Sequence, residues 1–127
     1  MSTGTIEHAN LTVSDPARSA ALLCDLLGWQ VRWQGPAQRG GDTIHVGESA
    51  ADGARYLALY TDGAPRERHS KGRPLNHIGL LVDDLVAAER TVLAAGLAPF
   101  GHDDYEPGRR FYFFDWDGIE FEMVSYA

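Results

Sequence analysis

One pattern in this sequence occurs twice. His8-Ala9-Asn10-Leu11-Thr12-Val13-Ser14-Asp15 is matched, 69 residues later, by His77-Ile78-Gly79-Leu80-Leu81-Val82-Asp83-Asp84. Each copy alternates like a strand and runs into a helical pattern, Ala17 to Leu27 in the first and Leu85 to Ala95 in the second. Each helical pattern stops at a glycine, Gly28 or Gly96. A chain built this way is expected to fold as two copies of one supersecondary unit. A unit of about sixty residues buries little core alone, whereas two sharing sheet surface bury enough.

The remaining elements follow the same order in each half. In the first, strands are expected over Thr5–Val13, Trp29–Trp33, Thr43–Gly47 and Arg55–Tyr60. Asp15-Pro16 opens the helix with an acidic cap and a first-turn proline. In the second, strands are expected over Leu75–Val82, Leu97–Phe100, Arg109–Phe114 and Ile119–Tyr126. Loops are expected over Gly35–Asp42 and His102–Gly108, and a hairpin turn over Asp115–Gly118. The prediction is an α+β fold of two β-α-β-β-β modules, approximately 1–63 and 72–127, within one domain spanning 1–127.

Composition narrows the function class. A length of 127 residues with 44% hydrophobic content suits one good core. No run reaches membrane-span length and the N-terminus lacks a basic-then-apolar leader, so a cytoplasmic protein with no membrane partner is expected. Cys24 is the single cysteine, which excludes an intrachain disulfide and reads as a buried helix residue. The formal charge of −7 repels a phosphate backbone, so no nucleic-acid partner is expected. The basic cluster Arg66, Arg68, His69, Lys71 and Arg73 is the local exception, read as a solvated loop with an anion-steering rim or lid as the alternative.

Strand alternation decides where reactive side chains point. Ala9, Leu11 and Val13 share one face and His8, Asn10 and Thr12 the other; Ile78, Leu80 and Val82 likewise oppose His77, Gly79 and Leu81. The apolar sets suit the helices, which leaves both histidines on the opposite surface. On the last strand Glu120, Glu122 and Val124 share a face. Glu122 sits between Phe121 and Met123 in a segment expected to be buried, and a buried carboxylate needs a cation or hydrogen bonds. His8, His77 and Glu122 are therefore expected to hold a divalent metal. Glu120, nearer the turn, is expected to face solvent or a pocket rim, and His102 to be exposed in a polar loop. His45 either packs or points inward as a substrate contact or proton shuttle. Aligning Arg55–Leu59 with Ile119–Met123 places Ala58 opposite Glu122 in the repeat, and alanine cannot ligate. Three ligands leave open positions, a set that favours Fe(II), with Mn(II), Ni(II), Co(II) or Zn(II) as alternatives.

The paired HANLTV and NHIGLLVDD strands, the RRFYFFDWDGIEFEMVSY ending and the duplication together resemble the vicinal oxygen chelate superfamily of glyoxalases, bleomycin resistance proteins and extradiol dioxygenases. The resemblance spans nearly the whole chain. It implies paired modules curled as a curved mixed sheet around a shared cleft, often as a homodimer, with a small-molecule substrate chelated through two oxygens on a divalent metal. His8, His77 and Glu122 match the family's metal positions. Ala58 stands where a glyoxalase I would place a fourth ligand, so ordinary glyoxalase I chemistry does not fit.

Tyr112, ten residues before Glu122, should face the same way by alternation. The resemblance to extradiol dioxygenases carries their substrate-binding tyrosine onto Tyr112 and a second-shell histidine onto His69. The resulting expectation is a metal-dependent, extradiol-dioxygenase-like oxidoreductase, with a glyoxalase-related lyase or isomerase as one alternative. A fosfomycin-type thiol transferase would need a cationic pocket, for which Arg110 is placed if it shares the face of Tyr112. A metal-free drug-sequestering resistance protein is the other alternative, with Trp29, Trp33, Trp116, Phe111 and Phe113 available for an aromatic cleft.

Overall fold

The computed structural model describes residues 3–48, 55–105 and 108–127, and the chain divides into two compact units, Met1–Arg66 and Glu67–Ala127. Each unit is a β-α-β-β-β module with a curved mixed sheet. The first contains β1 (His8–Thr12), α1 (Pro16–Leu27), β2 (Gln30–Pro36), β3 (Asp42–Gly47) and β4 (Tyr56–Thr61). The second contains β5 (Ile78–Leu81), α2 (Leu85–Ala94), β6 (Phe100–Tyr105), β7 (Gly108–Phe114) and β8 (Glu120–Ser125). The strand orders are β1-β4-β3-β2 and β5-β8-β7-β6. In each, the first strand runs parallel to the last and the other pairs are antiparallel. The parallel pair needs a long crossover, and the helix and two intervening strands supply it.

Helix ends follow the sequence signals. The Asp15 carboxylate accepts from Arg18 N at 3.2 Å and the Asp84 carboxylate from Ala87 N at 3.0 Å. Gly28 ends α1 in the left-handed region, with its N–H donating to Cys24 O. Asp15→Ala and Asp84→Ala are each expected to cost about 1 kcal/mol, read as a lower urea midpoint with unchanged slope.

The second module departs from the expected boundaries at β6. Leu97 does not begin a strand because its N–H is used to close α2. It donates to Val92 O at 3.2 Å while Gly96 N donates to Leu93 O at 3.0 Å, a left-handed helix stop. The strand begins at Phe100 and continues through His102, which had read as loop; residues 106 and 107 of that stretch lie outside the described residues. As an edge strand with an irregular register between Phe100 and Asp103, β6 has only one neighbour to satisfy, so it carries Gly101-His102-Asp103 without an apolar alternation.

Both cores lie on the helix faces of the sheets. In the first module Leu23 and Leu26 are buried, as are Leu11, Val46, Leu57 and Leu59 of the sheet that α1 packs on. In the second, Ala88 and Val92 of α2 are buried along with Phe111, Phe113, Phe121 and Met123 of β7 and β8. The rings of Phe113 and Phe121 stack at 5.3 Å. Phe111 and Phe113 are fully buried, so neither belongs to an aromatic cleft. The opposite faces carry the reactive side chains.

Candidate functional site

On the second module, register lines up Gly79, Glu122 and Tyr112 across three strands, with Phe100 next in the row. Glu122 is 8% exposed and both its oxygens are partnered. Oε1 lies 3.1 Å from His77 Nε2, and Oε2 accepts from Arg110 Nη1 at 2.8 Å. Arg110 thus shares the face of Tyr112, and its charge offsets the desolvation of a carboxylate that would otherwise be costly. Across the strand stands Gly79, where a Cβ would lie 3.9 Å from Glu122 Oε1; the glycine keeps that side of the carboxylate open.

His77 and Glu122 fit a shared metal ion. Two ligand atoms about 2.1 Å from one ion at a right angle stand about 3 Å apart, which is the spacing between Nε2 and Oε1. Nδ1 of the ring lies 2.7 Å from Asn76 Oδ1, so the imidazole is held between an amide on one side and the Glu122 carboxylate on the other. A carboxylate only accepts, so the space between it and Nε2 takes either the ring's own hydrogen or a cation. Among the described residues, no group of three or more histidine, cysteine or acidic side chains stands ready to hold an ion. The described pair is His77 and Glu122; His8 belongs to the other unit.

Glu120 corrects the expectation of a solvent-facing residue. It is 4% exposed, and Lys71 Nζ donates to both its carboxylate oxygens at 2.9 Å. The cause is the basic segment that precedes β5, a solvated loop, as expected, that is also pinned to the hairpin turn. His69 N donates to Asp117 O at 2.7 Å, and Arg68 Nη1 donates to Trp116 O at 2.9 Å. A Cβ at Gly118, whose φ is 81°, would meet His69 O at 2.9 Å. The segment therefore straps the hairpin turn and covers Glu120. Glu120 Oε2 also lies 3.9 Å from His77 Nδ1.

That turn is organised by Asp115. One carboxylate oxygen accepts from the backbone N–H groups of Asp117 and Ile119, both at 2.9 Å. Burial pushes the Asp115 carboxyl above its ordinary value, against these two hydrogen bonds and the charge of His69. His102 is exposed as expected, but on a strand, where it pairs with Glu89 at 2.8 Å. A depression of about 250 Å³ is lined by Leu85, Val86, Glu89, His102, Asp103, Arg109 and Arg110, and includes neither His77 nor Glu122.

The first module presents a ladder of rings on its corresponding face. His8 stacks on Tyr56 at 4.8 Å and 7°, Tyr56 on His45 at 4.5 Å and 22°, and His45 meets Trp33 at 5.1 Å. His8 Nδ1–H donates to Glu7 Oε1 at 2.9 Å. Ala58 pairs with Asn10 and Glu122 with Gly79, so the internal equivalence of Ala58 and Glu122 holds in three dimensions. Ala58 also pairs with His45 as Glu122 pairs with Tyr112. His45 therefore occupies in its module the place of Tyr112, a correspondence that strand alternation alone did not reveal. Tyr56 fills the position equivalent to Glu120, as the alignment of Arg55–Leu59 with Ile119–Met123 implies.

Local fields differ between these groups. Burial, with the nearby His8, lowers the His45 pKa and keeps that ring neutral. Burial followed by the charge of Glu7 raises Tyr56. Burial followed by the charge of Glu122 raises Tyr112, so its hydroxyl remains a donor at neutral pH. Cys24 is half-buried on α1 rather than fully buried, and burial with Asp25 raises its thiol, which suits no nucleophile.

Comparison with known proteins bears on this arrangement. No curated protein matches the sequence. A glyoxalase/bleomycin resistance protein/dioxygenase domain from Frankia sp. EAN1pec is 23% identical, with 98% of each chain covered and a TM-score of 0.79. Leishmania major glyoxalase I, described as trypanothione-dependent, is 16% identical over 98% of this chain and 88% of its own, at a TM-score of 0.78. A variant of the fosfomycin resistance protein FosX from Listeria monocytogenes, complexed with Mn(II) and 1S,2S-dihydroxypropylphosphonic acid, is 18% identical over 97% and 92%, at 0.71. These likenesses establish the fold, and the family is established by a sequence profile that matches residues 5–123. The chain belongs to the glyoxalase/bleomycin resistance protein/dioxygenase superfamily.

Proposed function

We propose that the two modules act as one domain, in a homodimer, as a divalent-metal enzyme that binds a substrate through two adjacent oxygens. The metal ligands in this reading are His8, His77 and Glu122, with Fe(II) favoured and Mn(II), Ni(II), Co(II) or Zn(II) as substitutes. The observation that carries it is the 3.1 Å approach of His77 Nε2 to Glu122 Oε1, with Nδ1 committed to Asn76. The FosX structure that contains Mn(II) and a vicinal diol supports such an ion in this fold. When bound, the ion supplies positive charge that chelates neighbouring substrate oxygens.

The side chains then divide the work. Tyr112, kept protonated by burial and Glu122, donates a hydrogen bond to a substrate oxygen. His45, kept neutral, accepts a proton from the substrate. His69 is assigned a supporting role, because its backbone N–H is tied to Asp117 O in the turn. The favoured reaction is oxygen-dependent ring opening of a catechol-class substrate. Metal-free sequestration of a planar drug is the second reading, favoured by the ring ladder from His8 to Trp33.

Anaerobic reconstitution with each divalent metal, followed by a screen of catechols and of 2-oxoaldehyde–thiol adducts, separates these readings. Ring opening with one dioxygen consumed per catechol is the expected result with Fe(II). Turnover without oxygen would assign the lyase or isomerase class, and tight binding without metal or turnover would assign sequestration. Tyr112→Phe should leave metal content and folding unchanged while reducing turnover by about 10- to 150-fold, the equivalent of about 1.5–3 kcal/mol for a charge-assisted hydrogen bond. Unchanged turnover would return Tyr112 to a packing role.

A further inference from the structure

Two rings on β6 face opposite ways. His102 stacks on Phe111 at 5.8 Å and 23°, on the helix side of the sheet. Phe100 stacks on Tyr112 at 5.9 Å and 27° and on Phe114 at 5.3 Å and 14°, on the side of Glu122. Residues two apart in a regular strand share a face, so the backbone between these two must break the alternation. Phe100 pairs with Tyr112 and Asp103 with Arg110, which gives β6 one extra residue in that interval. Such a bulge re-aims a side chain. Without it, the register from Asp103 would set Phe100 opposite Phe113, on the buried face. Gly101 makes the irregularity possible: its φ is 67°, and a Cβ there would lie 2.8 Å from the Tyr112 ring.

The first module reaches the same arrangement with different residues. A register shift between Val31 and Trp33 pairs Trp33 with His45, the place that Phe100 takes beside Tyr112. In both modules, then, a bulged edge strand turns an aromatic ring toward the reactive face. In the second module that ring extends the site. Tyr112 meets the His77 ring edge-on at 6.1 Å, and Phe100 stands two strands, about 10 Å, from Glu122. Phe100 remains 39% exposed, so the bulge forgoes burial in the core and creates an apolar shelf continuous with polar groups, the composition of a ligand site.

We propose that Phe100, with Phe114 and the ring of Tyr112, is a specificity-determining platform for a planar apolar group that the substrate carries beyond its two chelating oxygens. The preferred substrate is then an aryl-substituted or fused-ring diol. The chelated end of that substrate rests on the reading above; the platform is a property of β6 and β7.

Calorimetric titration of the Zn(II)-loaded protein with catechol and with 4-phenylcatechol tests it. The parent should bind 4-phenylcatechol about 10-fold more tightly, the scale of one aromatic stacking contact. Phe100→Ala should bring that ratio close to one, and Phe100→Trp should restore it. A ratio taken within one variant is insensitive to any loss of folded protein. A parent ratio near one would overturn the proposal, as would an unchanged ratio in Phe100→Ala. An unchanged ratio together with a smaller sedimenting species would assign the shelf to a second copy of the chain, and the proposal would fail equally. Should the protein bind no Zn(II), or neither diol, the chelation reading fails by itself. Carbon-13 NMR with benzyl alcohol, which carries a ring but no second oxygen, then decides the platform. Ring-current shifts at Phe114 that disappear in Phe100→Ala would support it, whereas shifts absent from the parent or retained in the variant would overturn it.

Discussion

Replacing Glu122 by alanine is expected to remove tight binding of a divalent ion and to destabilise the metal-free protein by roughly 3 kcal/mol. The first effect follows from losing the carboxylate that lies 3.1 Å from His77 Nε2. It should exceed the roughly 10- to 100-fold loss typical of a supporting residue. The second follows from Arg110, whose side chain is 17% exposed and would be left without the carboxylate at 2.8 Å. For a partly buried cation, losing its carboxylate costs more than the pair gains when formed. Glu122→Gln separates the two effects, because its amide oxygen still accepts from Arg110 while its basicity toward a metal is lost. Stability of the glutamine variant should lie within about 1.5 kcal/mol of the parent, with metal affinity nearly as low as in the alanine variant. Calorimetric titration with Zn(II) or Mn(II) and urea unfolding of the metal-free proteins check both. Parent-like metal affinity in Glu122→Ala would reject Glu122 as a ligand. A further double substitution with Arg110→Met isolates the ion pair through a mutant cycle.

The second large effect is expected at Asp115. Asp115→Ala leaves two backbone N–H groups of a buried turn without the oxygen they share, at about 1–3 kcal/mol for each orphaned donor, so a total near 3 kcal/mol is expected. The turn also anchors the strap bearing Lys71, so loosening it should expose Glu120 and increase hydrogen exchange in the segment before β5. Asp115→Asn keeps an acceptor and removes a buried charge. Because burial holds the folded carboxyl above its ordinary value of 3.8, the folded protein binds this proton more tightly than the unfolded chain does. Its contribution favours folding below pH 3.8 and is lost as pH rises through the higher folded value. The asparagine variant should therefore match or exceed the parent at neutral pH, and that advantage should shrink as the solution is acidified toward 4. Urea unfolding of the two proteins across that range tests it; an advantage that grows on acidification would reverse the sign.

Much of this molecule could be read from its residues because the repeat is nearly ungapped between each histidine and the end of its helix. Alternation from His8 to Val13 and from His77 to Val82 correctly separates the helix face from the reactive face, since a strand has no other way to place successive side chains. The same logic places Glu122, Tyr112 and Arg110 together on one face. It fails at β6, where an edge strand tolerates polar residues and Leu97 serves the helix stop instead. It fails again at Glu120, because the covering strap comes from residues about fifty positions earlier and no local pattern encodes that approach.

The sequence by itself therefore determined the duplication, the two module folds, the facing of His77 and Glu122, and the absence of a ligand at Ala58, all of which follow from local periodicity and a constant offset. Tertiary structure alone decided that Arg110 and His77 divide the two oxygens of Glu122, that His45 occupies the place of Tyr112, and that Lys71 buries Glu120. These are pairings between residues on different strands or loops. Their partners are selected by register, desolvation and charge once the chain has closed on itself, and only then does a carboxylate acquire the neighbours that set its chemistry.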